Sequence, residues 1–178
     1  MRLRALAGGL VVALLAGCAT RQPPPKPTPV VVPPPPVAAA ESPPASPAAY
    51  VARAASYDQL MIRAAAVLAI RSADMRLNRL AGRLRDEHSG LAAQLSMAGR
   101  RLDLLPRPGL LPLHQRWFDE FAAAPDAGLA YVRLARRVHQ NSYLMHERFA
   151  RVGASPTLKP IARNAAETER RHWAEMQP

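Results

Sequence analysis

The chain has 178 residues, enough for one domain with appendages, and its single cysteine excludes an internal disulfide. Twenty-four basic against 13 acidic residues give a net charge of +11, which points to acidic partners such as nucleic acid or an anionic membrane surface. Aromatic residues make up only 5% while alanine, leucine and arginine abound, a balance that favours helix over sheet.

Met1 to Arg4 is a short basic segment, Ala5 to Leu15 an apolar run, and small residues lead to Cys18. This is the architecture of a secretory leader over residues 1–17. The apolar run is too short to span a bilayer, which takes about 20 residues. Loss of Arg2 and Arg4 with the leader takes the net charge from +11 to +9. Export removes nucleic acid from the set of partners and leaves the membrane surface and other envelope components. Leu15-Ala16-Gly17-Cys18 resembles the bacterial lipobox. That resemblance implies a diacylglycerol thioether on Cys18, cleavage just before it, and acylation (palmitate or similar) of the new amine. Two or more acyl chains give stable anchoring, since each buried CH₂ contributes about 0.8 kcal/mol. Ala19 is not the aspartate that retains enteric lipoproteins on the inner membrane, which implies the periplasmic face of the outer membrane.

Residues 22 to 47 hold 12 prolines. Proline has no amide donor and a fixed φ, so residues 18–47 are expected as a lipidated cysteine followed by an irregular, polyproline-like tether reaching roughly 80 Å at most. This distance clears the membrane and comes within reach of peptidoglycan. A spacer is favoured over a proline-recognition ligand, because spacers commonly follow a lipidated cysteine.

From Ala48 to the C-terminus the composition changes to helix formers. A first helix is expected from Ala48 to Arg71, with Ser72-Ala73-Asp74 as a tight joint and Asp74 as N-cap. A second runs from Met75 to Gly99. Pro106, Pro108 and Gly109 break the chain into a loop before a short helix from Leu113 to Ala123. Asp126 caps a third long helix that reaches Val152, and Gly153 is expected as a left-handed terminator. Ser155-Pro156 opens a fourth, to Met176, with serine at N-cap and proline at N1. The long helices carry apolar stripes at three- and four-residue steps: Tyr57, Leu60, Ala64, Val67 and Leu68 in the first; Leu77, Leu80, Leu84, His88, Leu91 and Leu95 in the second. The third offers Val132, Ala135, His139, Tyr143, His146 and Phe149, and the fourth Leu158, Ile161, Ala165, Glu169, His172 and Met176. Four such faces joined mainly by short connections pack as an all-α four-helix bundle with a short extra helix.

The segments Leu84-Arg85-Asp86-Glu87-His88, Tyr131 followed eight residues later by His139, and Leu158-Lys159 through His172 together resemble the family called domain of unknown function 4142. The resemblance implies a ferritin-like helical bundle in the outer envelope and no defined reaction. Members often carry a glutamate in the first helix, whereas here the only acid there is Asp58.

Four of the five histidines, 88, 139, 146 and 172, fall on expected core stripes, and imidazole ligates iron, zinc or copper. Glu169-Arg170-Arg171-His172 is a Glu-x-x-His motif, which puts both side chains on one helix face. A di-iron site needs a second such motif and there is none, so that centre is incomplete. The plainer reading has these histidines buried and hydrogen-bonded to Glu87, Glu169, Tyr131 or Tyr143. If a metal binds, the ligands are His88, His139, His172 and Glu169. His114 is expected on the surface. Methionines 61, 75, 97 and 145 read as gap-fillers, and Trp117 with Phe118 either packs the short helix on the bundle or marks a partner contact.

There is no phosphate-binding glycine loop, no G-x-S-x-G and no H-E-x-x-H. Ser89 beside His88 points about 100° away on a helix, a poor nucleophile–base pair. Arginines 76, 79 and 83, and 133, 136 and 137, could meet anionic lipid; a solvated face with local pairs such as Arg83–Glu87 and Glu147–Arg151 is favoured. The residues therefore read first as a non-catalytic envelope lipoprotein module with no cofactor, binding a protein or cell-wall partner. The second reading is a ferritin-like transition-metal or redox protein using the bundle histidines.

Overall fold

The computed structural model describes Pro44 and residues 46–177. The leader, Cys18 and nearly all of the proline tether lie outside these residues. Among the described residues five helices form and no strand: α1 Pro47–Arg71, α2 Met75–Leu102, α3 Pro112–Ala123, α4 Ala127–Val152 and α5 Leu158–Glu175.

Local chemistry sets most of the ends. Ser46 accepts a hydrogen bond from the Ala49 amide, with Pro47 in the first turn of α1. Asp74 accepts from the Arg76 and Leu77 amides at 2.8 and 3.1 Å, and Asp126 accepts from the Leu129 amide at 2.9 Å. Both are the expected caps. The α1–α2 joint is braced by Asn78, whose side-chain amide donates to the Ser72 carbonyl at 2.8 Å. Pro160 falls in the first turn of α5, where its missing donor costs little.

Three ends differ from the expectation. α2 runs past Gly99 to Leu102 and stops at Asp103, which is left-handed with φ 54°. Gly99 serves the loop that folds back over it: a Cβ there would lie 2.7 Å from the Leu104 carbonyl oxygen. Gly153 is not left-handed but extended, at φ −63° and ψ 149°. Glycine is there because a Cβ would meet the Phe149 carbonyl oxygen at 2.5 Å and its ring at 2.7 Å. α5 begins later than expected, with Thr157 at the N-cap, Leu158 as its first residue and Pro156 in the turn ahead of it rather than at N1, although Ser155 still accepts from the Leu158 amide at 3.3 Å.

α1 and α2 form a hairpin, as do α4 and α5; α1 also lies against α4, and α2 against α5, closing a four-helix ring. The end of α1 meets the end of α3, where the Arg71 guanidinium donates to the Ala122 and Ala124 carbonyls. The start of α1 meets the end of α4, where Tyr50 stacks on Phe149. α3 thus carries the chain back along α1, and α4 descends beside α2's direction. All four neighbouring pairs are antiparallel, and the one long crossover is the connectivity of ferritin-like bundles.

The core is a continuous cluster that includes Tyr50, Tyr57, Leu60, Met61, Leu68, Leu84, Leu95, Tyr131, Val138 and Leu158. Trp117 and Phe121 dock α3 onto it. Met61 and Met145 fill the core as expected, but Met75 and Met97 are exposed. The Arg83–Glu87 and Arg151–Glu147 pairs form, at 3.5 and 2.7 Å. No described helix is long and apolar enough to cross a membrane.

Candidate metal centre

Each long helix delivers polar side chains to one layer of the bundle interior. α1 brings Asp58, α2 brings Glu87 and His88, α4 brings His139 and Ser142, and α5 brings Glu169 and His172. The i, i+3 spacing of Glu169 and His172, and of His139 and Ser142, turns each pair inward from one helix face. His88, His139, Glu169 and His172 are completely buried. One potential ligand atom from each lies within 4.8 Å of the others. The four residues expected as ligands from sequence are therefore assembled at one place.

Each imidazole is fixed through one nitrogen by a carboxylate. His88 Nδ1 bonds Asp58 at 2.9 Å, His139 Nδ1 bonds Glu169 Oε2 at 2.7 Å, and His172 Nε2 bonds Glu87 Oε2 at 2.8 Å. The other nitrogen of each ring, Nε2 of His88 and His139 and Nδ1 of His172, is buried with no hydrogen-bond partner. Buried polar atoms are normally satisfied, so three orphaned nitrogens in one cluster call for a physical reason. Ser142 donates to the second oxygen of Glu169 at 3.0 Å.

The plain expectation of buried, carboxylate-bonded histidines is met for Glu87 and Glu169 but not for the tyrosines. The Tyr131 hydroxyl is buried without a partner, and Tyr143 stacks on Trp173 instead. His146 takes its bond from the Tyr50 hydroxyl at 2.9 Å. His114 departs further from expectation. It is fully buried rather than on the surface, shares a 2.7 Å hydrogen bond with Ser56 Oγ, and packs between Tyr57 and Trp117.

Charge balance in the cluster is tight. Burial alone would raise the Glu169 carboxyl, but the neighbouring His88 and His139 imidazoles hold it down at about 2. Glu87 is held at about 2 against its partial burial by His172 and Arg171. Burial pushes Asp58 up to about 6, and its bond to His88 only partly offsets this. Burial lowers His139 and His172, outweighing their carboxylate partners. His88 moves the other way: burial disfavours its proton, but Glu169 at 3.8 Å and the bonded Asp58 together favour it more strongly. His88 is thus the ring of the three whose charged form the buried carboxylates favour.

The donor set fits a small transition-metal ion. Three nitrogens and a carboxylate suit zinc, copper or iron. Metal–nitrogen bonds of about 2.0–2.1 Å in a tetrahedral array would place imidazole centroids roughly 5 Å apart. The centroids of His88, His139 and His172 stand 5.4, 5.4 and 5.0 Å apart. Ligating histidines almost always donate their other ring nitrogen to a carboxylate, a carbonyl or water, which is the arrangement around all three rings.

Asp58 is the site residue that the stripe of the first helix did not contain. It lies one residue beyond Tyr57, on a flank that the bundle also buries, along with Ala54, Met61 and Ala65. A lone carboxylate in that helix was the available signal.

The chain also resembles known proteins in sequence and in fold. The model of a family described as Domain of unknown function (DUF4142) matches residues 32–178. Among solved structures, a DUF305 fragment from Deinococcus radiodurans superposes with a TM-score of 0.63 at 22% identity, covering 75% of this chain and 95% of its own. A DUF305 protein from Streptomyces coelicolor, described as secreted, gives 0.58 at 17% identity, covering 74% and 90%. At these identities the likeness is one of fold. No curated protein matches the chain.

Proposed function

We propose, for a chain that belongs to the DUF4142 family, the role of a lipid-anchored envelope protein whose helical bundle holds one transition-metal ion. The observation that carries the metal is the set of three buried, unpartnered imidazole nitrogens, each on a ring whose other nitrogen is tied to a carboxylate. His88 and His139 would bind through Nε2 and His172 through Nδ1; Glu169 would have to exchange its bond to His139 Nδ1 for the ion to serve as the fourth ligand. Asp58 and Glu87 orient the rings and, with Glu169, set a negative field. Ser142 fixes the rotamer of Glu169. Such an ion supplies Lewis acidity and, as iron or copper, one-electron chemistry. It takes the three ring nitrogens deprotonated, so uptake should release protons and weaken as pH falls.

The anchor is supported by the basic and apolar leader and by the lone cysteine at Leu15-Ala16-Gly17-Cys18. It is consistent with the secreted description of one structural neighbour. Acylation at Cys18 and export to the periplasmic face of the outer membrane follow from that reading. Acyl-chain labelling that persists in Cys18→Ser would overturn it.

The metal is tested on the purified, metal-stripped full chain, titrated separately with zinc(II), copper(II) and iron(II) against a chromogenic chelator. One equivalent bound by wild type and lost in His88→Ala and His172→Ala, with helicity retained by circular dichroism, is the expected result. Uptake that ignores both substitutions removes the site.

A further inference from the structure

We propose that Glu87 is the capture carboxylate of a cation port between α2 and α5, latched by Arg171 and Arg83; this rests on the metal reading of the site beneath it. The site is closed on nearly every side. The side chains of His88, His139, His172 and Glu169 are 0% exposed and that of Asp58 5%, while Glu87 shows 28%. Glu87 is thus the polar group of the constellation that reaches both the buried rings and water. Inward it bonds His172 Nε2 at 2.8 Å; outward it bonds Arg171 at 2.7 Å and Arg83 at 3.5 Å.

The seam around it is of a kind that opens easily. Arg83 reaches across to Glu175 and Asn164 donates to Gln94 at 3.0 Å, so α2 and α5 are linked at their surface by exposed polar pairs. Exposed ion pairs contribute about 0–1 kcal/mol each, and exposed side chains change rotamer in picoseconds to nanoseconds. The α1–α4 side is closed instead by apolar contacts, with Tyr50 stacked on Phe149 at 3.9 Å. Opening there would bring hydrophobic surface into water.

The chemistry follows from charge. A hydrated divalent cation approaching the seam meets a carboxylate already aimed at a buried histidine. Arg171 and Arg83 neutralise that carboxylate while no ion is near and repel a cation until they swing aside. Glu87 then exchanges its guanidinium partners for the ion and releases it inward, past the edge of the His172 ring, to the cluster that Nδ1 faces. No covalent bond is made or broken.

The test is stopped-flow loading and chelator-driven release of zinc(II) with the full chain, comparing wild type, Glu87→Gln and Arg171→Ala. Glutamine can still accept the hydrogen bond from His172, so the ring stays placed. Glu87→Gln should slow loading by about tenfold, and the affinity lost with the charge behind His172, about tenfold or more, should appear in slower loading rather than in faster release. Arg171→Ala should speed loading several-fold. A residue that merely braces His172 would instead raise release alone. That pattern, or rates in both variants within twofold of wild type, overturns the port while leaving the metal site standing. Wild-type protein that takes up no ion overturns the port and the site reading together.

Discussion

Asp58 on α1 and His88 on α2 are joined by a 2.9 Å hydrogen bond, with both side chains shut away from water. The pair couples the two helices at the level of the cluster and decides which nitrogen of His88 faces inward. Because Nδ1 is committed to Asp58, Nε2 is left as the atom that would take an ion. In Asp58→Asn the side-chain oxygen can still accept from Nδ1, so the fold should persist. The lost charge lowers the basicity of the ring. Metal affinity should then fall by about 10–100-fold, read by competition titration, with the helical signal unchanged. Equal affinity in the variant would mean that His88 is not a ligand.

His146 predicts a pH dependence of stability. Burial holds it down to about 4 from an ordinary 6.5, so it stays neutral in the fold. Between those values the unfolded chain binds a proton that the folded chain does not. Stability from this group is therefore complete above pH 6.5 and is lost as pH falls toward 4, by up to about 3 kcal/mol. Asp58, raised to about 6, works in the opposite sense between pH 4 and 6, because its proton is favoured by folding. Urea denaturation of the metal-free protein at steps from pH 7 to 4 should show wild-type stability falling with a steeper slope than His146→Gln. Parallel slopes would remove the assignment.

Ser56 predicts a local effect at the α2–α3 loop. Its hydroxyl oxygen accepts from the Leu111 amide at 2.8 Å and bonds His114 at 2.7 Å, holding the loop and the start of α3 onto α1. Ser56→Ala strips a hydrogen bond from a part-buried amide and another from a buried imidazole. A loss of about 1–3 kcal/mol is expected, with increased amide exchange from Leu110 to Gln115. Metal affinity should not move, since the clamp shares no residue with the cluster.

How far the sequence reveals this molecule depends on the range of each interaction. Caps such as Asp74 and Asp126 act within three residues, so their chemistry is visible in one dimension. Glu169 and His172 are legible together because one helix turn fixes their relation. Asp58 and His114 are not, because their burial depends on how α1 and α3 rotate against neighbours far away in the chain. The rotation buries a wider face of α1 than the single stripe, and lays His114 beneath α3 rather than above it. The clustering of His88, His139, Glu169 and His172 from α2, α4 and α5 is readable in the sequence; the carboxylate behind His88 comes only with the packing.

The glycines separate conformational need from spatial need, and here the two give opposite signs. At Gly153 the backbone, φ −63° and ψ 149°, is open to any residue, so a left-handed requirement cannot explain it. The constraint is the Phe149 carbonyl 2.5 Å from the position a Cβ would take, with ring carbons at 2.7 and 2.8 Å. Phe149 cannot yield freely, because its ring stacks on Tyr50, which in turn bonds His146. Gly153→Ala should therefore destabilise by about 1–3 kcal/mol, as overpacking does. Gly82, inside α2, has nothing within 4 Å of its Cβ position. Gly82→Ala should stabilise by roughly 0.5–1 kcal/mol through the unfolded chain's lost freedom. Thermal melts of the two variants should shift in opposite directions, by a few degrees each. A neutral Gly153→Ala would show that the α4–α5 turn relaxes around the methyl group, and the packing account of that glycine would fall.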